Sequence, residues 1–120
     1  MKALAYAAAA FVALEHVGIF VLEAFLWTKP IGRKIFGLSE ELARASAPLA
    51  ANQGLYNLFL AAGLFWGLWL GPAGGAIRIF FLFCVLVAGI VGAATAKRSI
   101  LWTQGLPAAI ALVLAYLSPP

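Results

Sequence analysis

Four long apolar stretches take up almost all of this 120-residue chain, at about Leu4 to Trp27, Ala47 to Leu70, Ile77 to Ala96 and Ile100 to Leu117. A helix crosses a hydrocarbon core of about 30 Å with roughly 20 mostly apolar residues, so each stretch has the length of a membrane span. With 65% hydrophobic residues, 10% charged residues and a mean hydropathy of +1.03, the composition excludes a soluble domain of this size. The expected fold is all-α: a four-helix transmembrane bundle forming a single integral membrane domain over residues 1–120. Function must then reside on the helices or in the one substantial loop, Thr28 to Ser46.

The net charge of +4 does not point to nucleic acid, because the basic residues stand at the ends of apolar runs, where they act as topology signals. Lys29, Arg33, Lys34 and Arg44 fall in the first loop and Lys97 and Arg98 in the third, against Lys2 and Arg78 on the opposite side. The positive-inside rule places the first and third loops in the cytoplasm and both termini outside, in a multi-pass protein of the cytoplasmic (inner) membrane. Lys2 and the alanine-rich run after it mimic a secretory signal, but the run continues to Trp27 with ionisable residues in its middle, as a retained helix would. The lone Cys84 lies in a wholly apolar stretch and reads as a buried structural thiol.

Local signals mark the boundaries. Thr28 to Pro30 ends the first helix, and Ser39 followed by Glu40 and Glu41 reads as an N-cap with an acidic first turn. The second helix is therefore expected to begin inside the loop and to bend at Pro48. Gly71, Pro72, Ala73, Gly74 and Gly75 form a tight turn, and the short link from Lys97 to Ser99 makes the last two helices antiparallel neighbours. Gly63 and Gly67 on the second helix, and Gly89, Gly92, Ala93 and Ala96 on the third, suit close helix packing, within one chain or along a homo-oligomer seam.

Ionisable groups inside apolar spans default to function. At 100° per residue Glu15, His16, Ile19 and Glu23 share a wedge of about 100° on the first helix, with His16 and Glu23 about 20° apart. Asn52, Gln53, Tyr56 and Asn57 share roughly 140° on the second helix. Glu23, Asn52 and Gln53 lie on the order of 6 to 9 Å deep from the cytoplasmic end, Gln104 on the fourth helix reaches a similar level, Arg98 sits at the mouth, and Glu15 and His16 lie near the midplane. These positions predict a polar cavity open to the cytoplasm. The alternative is a hydrogen-bond network that holds helix register. A metal site is not expected: about 10 Å along the axis separates His16 from Glu23, and the usual ligand spacings are missing. No phosphate loop, serine elbow or thiolate cluster is present.

The strings LEHVGIFVLEAFLW (Leu14 to Trp27), GRKIFGL (Gly32 to Leu38) and LAANQGLYNLFLAAGLFWG (Leu49 to Gly67) resemble a family of small bacterial membrane proteins grouped as domain of unknown function 1304. The resemblance covers essentially the whole chain and implies four membrane helices without an established activity. More distantly, the layout resembles the MAPEG superfamily of membrane-associated eicosanoid and glutathione enzymes, which are four-helix trimers. That likeness rests on Ala51 to Gly63 and on Arg98, Ser99 and Trp102. It implies a homotrimer, glutathione as cofactor, Asn52 as a ligand-binding asparagine and Arg98 as a ligand-binding or catalytic arginine. The chain departs from that pattern at Ala47, Pro48 and Ala51, where arginines are usual, and at Leu55, where a glutamate is. Leu14, Glu15 and Gly18 are also similar to the first-helix glutamate motif of small multidrug exporters, which implies proton exchange for a lipophilic cation.

The reading is of an uncharacterised membrane protein binding a small lipophilic or amphiphilic ligand. Glu15, His16 and Glu23 do acid/base or ion-pairing work, and Asn52, Gln53, Tyr56, Asn57, Arg98, Trp102 and Gln104 line the ligand site. The lipid bilayer and further copies of the chain, a trimer being favoured, are the expected partners. A glutathione-dependent enzyme, a proton-coupled exporter using Glu15 and a purely structural protein are the alternatives.

Overall fold

Ser39 starts the longest helix: its Oγ accepts a hydrogen bond from the Leu42 backbone N–H at 3.1 Å, satisfying one of the donors a helix start leaves without an intrahelical partner. Glu40 and Glu41 follow in the first turn, where their charge suits the positive end of the helix dipole, and Glu40 pairs with Arg44 one turn on. The helix begins in the first loop, as expected, and carries Pro48 within it. The computed structural model describes residues 1–118 and is all-α, with α1 at Lys2–Ala24, α2 at Pro30–Phe36, α3 at Glu40–Trp69, α4 at Gly75–Thr95 and α5 at Leu106–Leu117.

There are thus five α-helices rather than four among the described residues. The extra one, α2, lies in the stretch read as loop. Pro30 presets the first turn, and Gly37 ends the helix in the left-handed region at φ 67°, with the Leu38 N–H donating back to the Arg33 carbonyl at 2.9 Å. Seven residues are too few for a hydropathy pattern to stand out, and tertiary contacts hold α2 in place. The last helix also departs from expectation. Helical backbone does begin at Ser99 and Ile100, as expected, but it passes through a π-helical segment, Leu101–Gly105, before α5. Pro107 has no N–H and crowds the carbonyl four residues back, Thr103, and a widened turn accommodates it. Gly71–Gly74 forms a 3-10 turn between α3 and α4.

Two of the apolar runs lie in helices long and apolar enough to cross a membrane, Lys2–Ala24 and Gly71–Thr95, while Leu101–Leu117 is shorter. Asn52, Gln53 and Asn57 lower the hydropathy of α3, which is 30 residues long.

The chain divides into two compact units, one of Met1–Leu14 and Leu60–Pro120, the other Glu15–Phe59. In the first, Val12 and Ala13 of α1, Leu64 of α3, Leu82 and Val85 of α4, and Ala108 and Ala111 of α5 make a core with no exposure. Small residues let the backbones close up. A Cβ on Gly89 would stand 2.8 Å from the Gly105 nitrogen, and one on Gly63 would enter the Phe81 ring. The glycines read as packing positions therefore serve contacts within this chain. In the second unit the Trp27 indole N–H donates to Ser46 Oγ at 2.9 Å, and its ring lies 4.7 Å from that of Phe36, tying α2 and the start of α3 to the end of α1.

Candidate functional site

Within Glu15–Phe59, α1 supplies Glu15, His16 and Glu23. His16 is fully buried, whereas Glu15 and Glu23 are half-buried. Glu15 Oε1 is itself shielded from solvent and makes no hydrogen bond among the described residues. The helical repeat puts His16 and Glu23 on one side of α1, and Gly54 on α3 determines what meets them there. A Cβ on Gly54 would sit 3.1 Å from Glu23 Cβ and 3.3 Å from the Phe20 carbonyl, so the missing side chain lets the α3 backbone approach α1 closely. Asn57, three residues further along α3, then reaches Glu23. Its Nδ2 donates to Glu23 Oε1 at 2.6 Å and also lies 3.3 Å from the Gln53 carbonyl.

The other residues singled out in the sequence are placed differently. Asn52, Gln53 and Tyr56 are exposed on α3, and the Tyr56 ring lies 6.1 Å from that of Phe59. Arg98, Trp102 and Gln104 belong to the unit formed by Met1–Leu14 and Leu60–Pro120. There Arg98 and Trp102 are exposed, and Gln104 is half-buried in the π-helical segment beside Gly89. The structure thus joins Glu23 to Asn57 directly and buries His16, while three of the expected ligand-contacting side chains of α3 face outward. Among the described residues no three His, Cys, Asp or Glu side chains gather as a metal ion would require.

Chemically, the Glu23–Asn57 pair is a hydrogen-bond acceptor held in place by a donor. A carboxylate has two oxygens and about four lone-pair sites, so with Oε1 held by Asn57 it retains acceptor capacity for a ligand N–H, a cation or a proton. Glu15, two turns away on the same helix, adds a second acceptor. Between Glu15 and Ala24, and between Ala47 and Phe59, there is no Lys or Arg.

One basic residue has a packing role that its sequence reading did not include. Arg78 counted as a topology marker, yet it is buried, with its guanidinium over the Tyr6 ring. The available signal was a single arginine three residues into a long apolar helix.

Residues 10–116 match the family described as "Protein of unknown function (DUF1304)". This chain belongs to the DUF1304 family. A relative within reach of this DUF1304 protein is "Uncharacterized protein YpaA" of Lactococcus lactis subsp. lactis, 33% identical over 108 residues, which cover 88% of this chain and 90% of that protein. No solved structure matches this DUF1304 chain, and the MAPEG resemblance finds no support in these comparisons.

Proposed function

We propose that this DUF1304 protein is a multi-pass protein of the cytoplasmic membrane that binds a small lipophilic or amphiphilic ligand through the polar face of its Glu15–Phe59 unit. All four apolar runs cross the bilayer in this reading, with α1, α3, α4 and the Leu101–Leu117 segment as spans and the basic loops in the cytoplasm. The carrying observation is the Glu23 carboxylate, held by Asn57 at 2.6 Å on a helix that is otherwise apolar around it. A carboxylate within an apolar span is costly and defaults to a functional role. Two acceptor groups and no fixed cation on these helix stretches favour a ligand that brings N–H groups or positive charge. Glu23 and Glu15 receive its polar end, Asn57 orients Glu23, and the apolar remainder stays in the lipid.

The purified protein in zwitterionic nanodiscs, titrated with tetraphenylphosphonium against empty discs, tests this reading. Glu23→Gln should weaken binding by about tenfold or more, the value of one charge-assisted contact, and Asn57→Leu should weaken it less. Equal binding by the wild type and Glu23→Gln overturns the proposal. If Glu23→Gln lowers only the melting temperature, the Glu23–Asn57 bond is a register lock between helices and nothing more.

A further inference from the structure

The unit that lacks the carboxylates contains a buried cation. All four acidic residues of the chain, Glu15, Glu23, Glu40 and Glu41, fall in Glu15–Phe59, so Met1–Leu14 and Leu60–Pro120 contain no Asp or Glu. Arg78 is nevertheless only 8% exposed. Arginine is almost never buried to this degree without a partner, because an uncompensated charge in an apolar interior is costly. Its partners here are neutral. Nη1 donates to the Gly67 carbonyl at 2.5 Å and to the Gly71 carbonyl at 2.7 Å, and the guanidinium carbon lies 4.5 Å from the centre of the Tyr6 ring. Carbonyl dipoles and a ring face stabilise part of the charge, and the group carries three more N–H donors on Nε and Nη2.

Beside Arg78 is a cavity of about 310 Å³, lined among others by Tyr6, Pro72, Tyr116 and Ser118. Ser118 Oγ, which faces no solvent, has no hydrogen-bond partner among the described residues. A second hollow of about 850 Å³, open and almost wholly apolar, runs between α4 and α5 along Phe80, Phe83, Leu86 and Val113. The two adjoin along Ala76, Ile79 and Tyr116, which line both. From Ala76 to Leu86 the groove follows ten residues of α4, about 15 Å at 1.5 Å per residue. The cavity offers a fixed guanidinium and an unused hydroxyl, and the adjoining groove offers aromatic and aliphatic side chains.

We propose that this cavity and the adjoining groove together bind an anionic phospholipid, the phosphate head group on Arg78 and one acyl chain along the α4–α5 groove. A guanidinium presents its N–H donors in a planar fork that matches phosphate oxygens two at a time. The phosphate supplies the negative charge that the unit's own sequence lacks. Ser118 Oγ is placed to donate to the head group, and the Tyr6 ring lies against the guanidinium in the same cavity. The acyl chain covers the exposed rings of Phe80 and Phe83. This site shares no residue with the Glu23–Asn57 face, so the two readings stand or fall separately.

The experiment uses purified full-length protein in detergent, with native mass spectrometry and thermal melting as readouts. The probes are dioleoylphosphatidylglycerol, dioleoylphosphatidylcholine and inorganic phosphate. The phosphatidylglycerol should be retained about tenfold more strongly than the choline lipid and raise the melting temperature, and Arg78→Gln should abolish that preference. Because Arg78→Gln could also unfold the unit, the second variant is Ala109→Phe, at a residue that lines the groove and not the Arg78 cavity, and it should weaken retention as well. Replacing Lys2 and Lys97 together by glutamine should leave the preference intact. Equal retention of the two lipids by the wild type overturns the proposal, as does a preference that survives Arg78→Gln or Ala109→Phe. Stabilisation by inorganic phosphate equal to that by the lipid would make this a free-anion site and overturn the lipid assignment. Oligomers that Ala109→Phe dissociates, without lipid adducts, would assign the groove to a second copy of the chain.

Discussion

Gly18 and Gly74 are the same residue under opposite constraints. Around Gly18 a Cβ meets nothing within 4 Å, while on Gly74 it would lie 2.0 Å from the Gly67 carbonyl oxygen. Gly18→Ala should therefore be neutral or stabilising, by up to about 1 kcal/mol from helix propensity. Gly74→Ala should destabilise by about 3 kcal/mol or more, since both sides of the clash are backbone. Thermal melting of the two variants in one detergent checks the contrast. The Gly67–Gly74 approach also places the carbonyl that Arg78 Nη1 uses. At this scale the sequence was legible where periodicity alone decides: His16 and Glu23 do share a side of α1. It was silent on the Glu23–Asn57 bond, because helix register depends on how closely α3 approaches at Gly54. It did not give the burial of Arg78, because counting basic residues near helix ends says nothing of what packs over them.

Helix boundaries followed local chemistry where that chemistry was strong. Ser39 with Glu40 and Glu41 starts α3 as expected, and Ser39→Ala should cost about 1 kcal/mol by removing the acceptor for the Leu42 N–H, whereas Ser39→Asp should be near neutral. Urea or thermal unfolding resolves the difference, and faster amide exchange at Leu42 in the alanine variant localises it. Two elements escaped. The short α2 depends on contacts made by its surroundings: Gly32 lies so close beneath the Leu26 carbonyl that a Cβ there would stand 1.9 Å from the oxygen, and the Phe36 ring packs on Trp27. The π-helical segment before α5 follows from Pro107, whose effect on the preceding turn was readable, although the choice of a π turn over a kink was not.

For the whole molecule, exposure separates two kinds of surface. Large apolar side chains such as Phe11, Phe59, Phe80, Phe83 and Ile90 are half or more exposed, as lipid-facing residues would be. Asn52 and Gln53 are exposed too, on a stretch of α3 that the proposed topology places in the bilayer. Hydrocarbon offers their amides no hydrogen bonds, and a second copy of the chain would. A homo-oligomer is therefore expected. Native mass spectrometry of gently solubilised protein should show the oligomer, and Asn52→Leu with Gln53→Leu should dissociate it. A wild-type monomer would remove this expectation.

The amino-acid sequence by itself determined the helical class, the Ser39 start of α3 and that His16 and Glu23 share a side of α1, because hydropathy and capping act over a few residues along one chain. Only the tertiary structure decided that Asn57 rather than Asn52 meets Glu23, that α2 is helical and that Arg78 is buried beside a cavity. Each of those depends on distances between segments far apart in the chain, set by where glycines allow two backbones to touch.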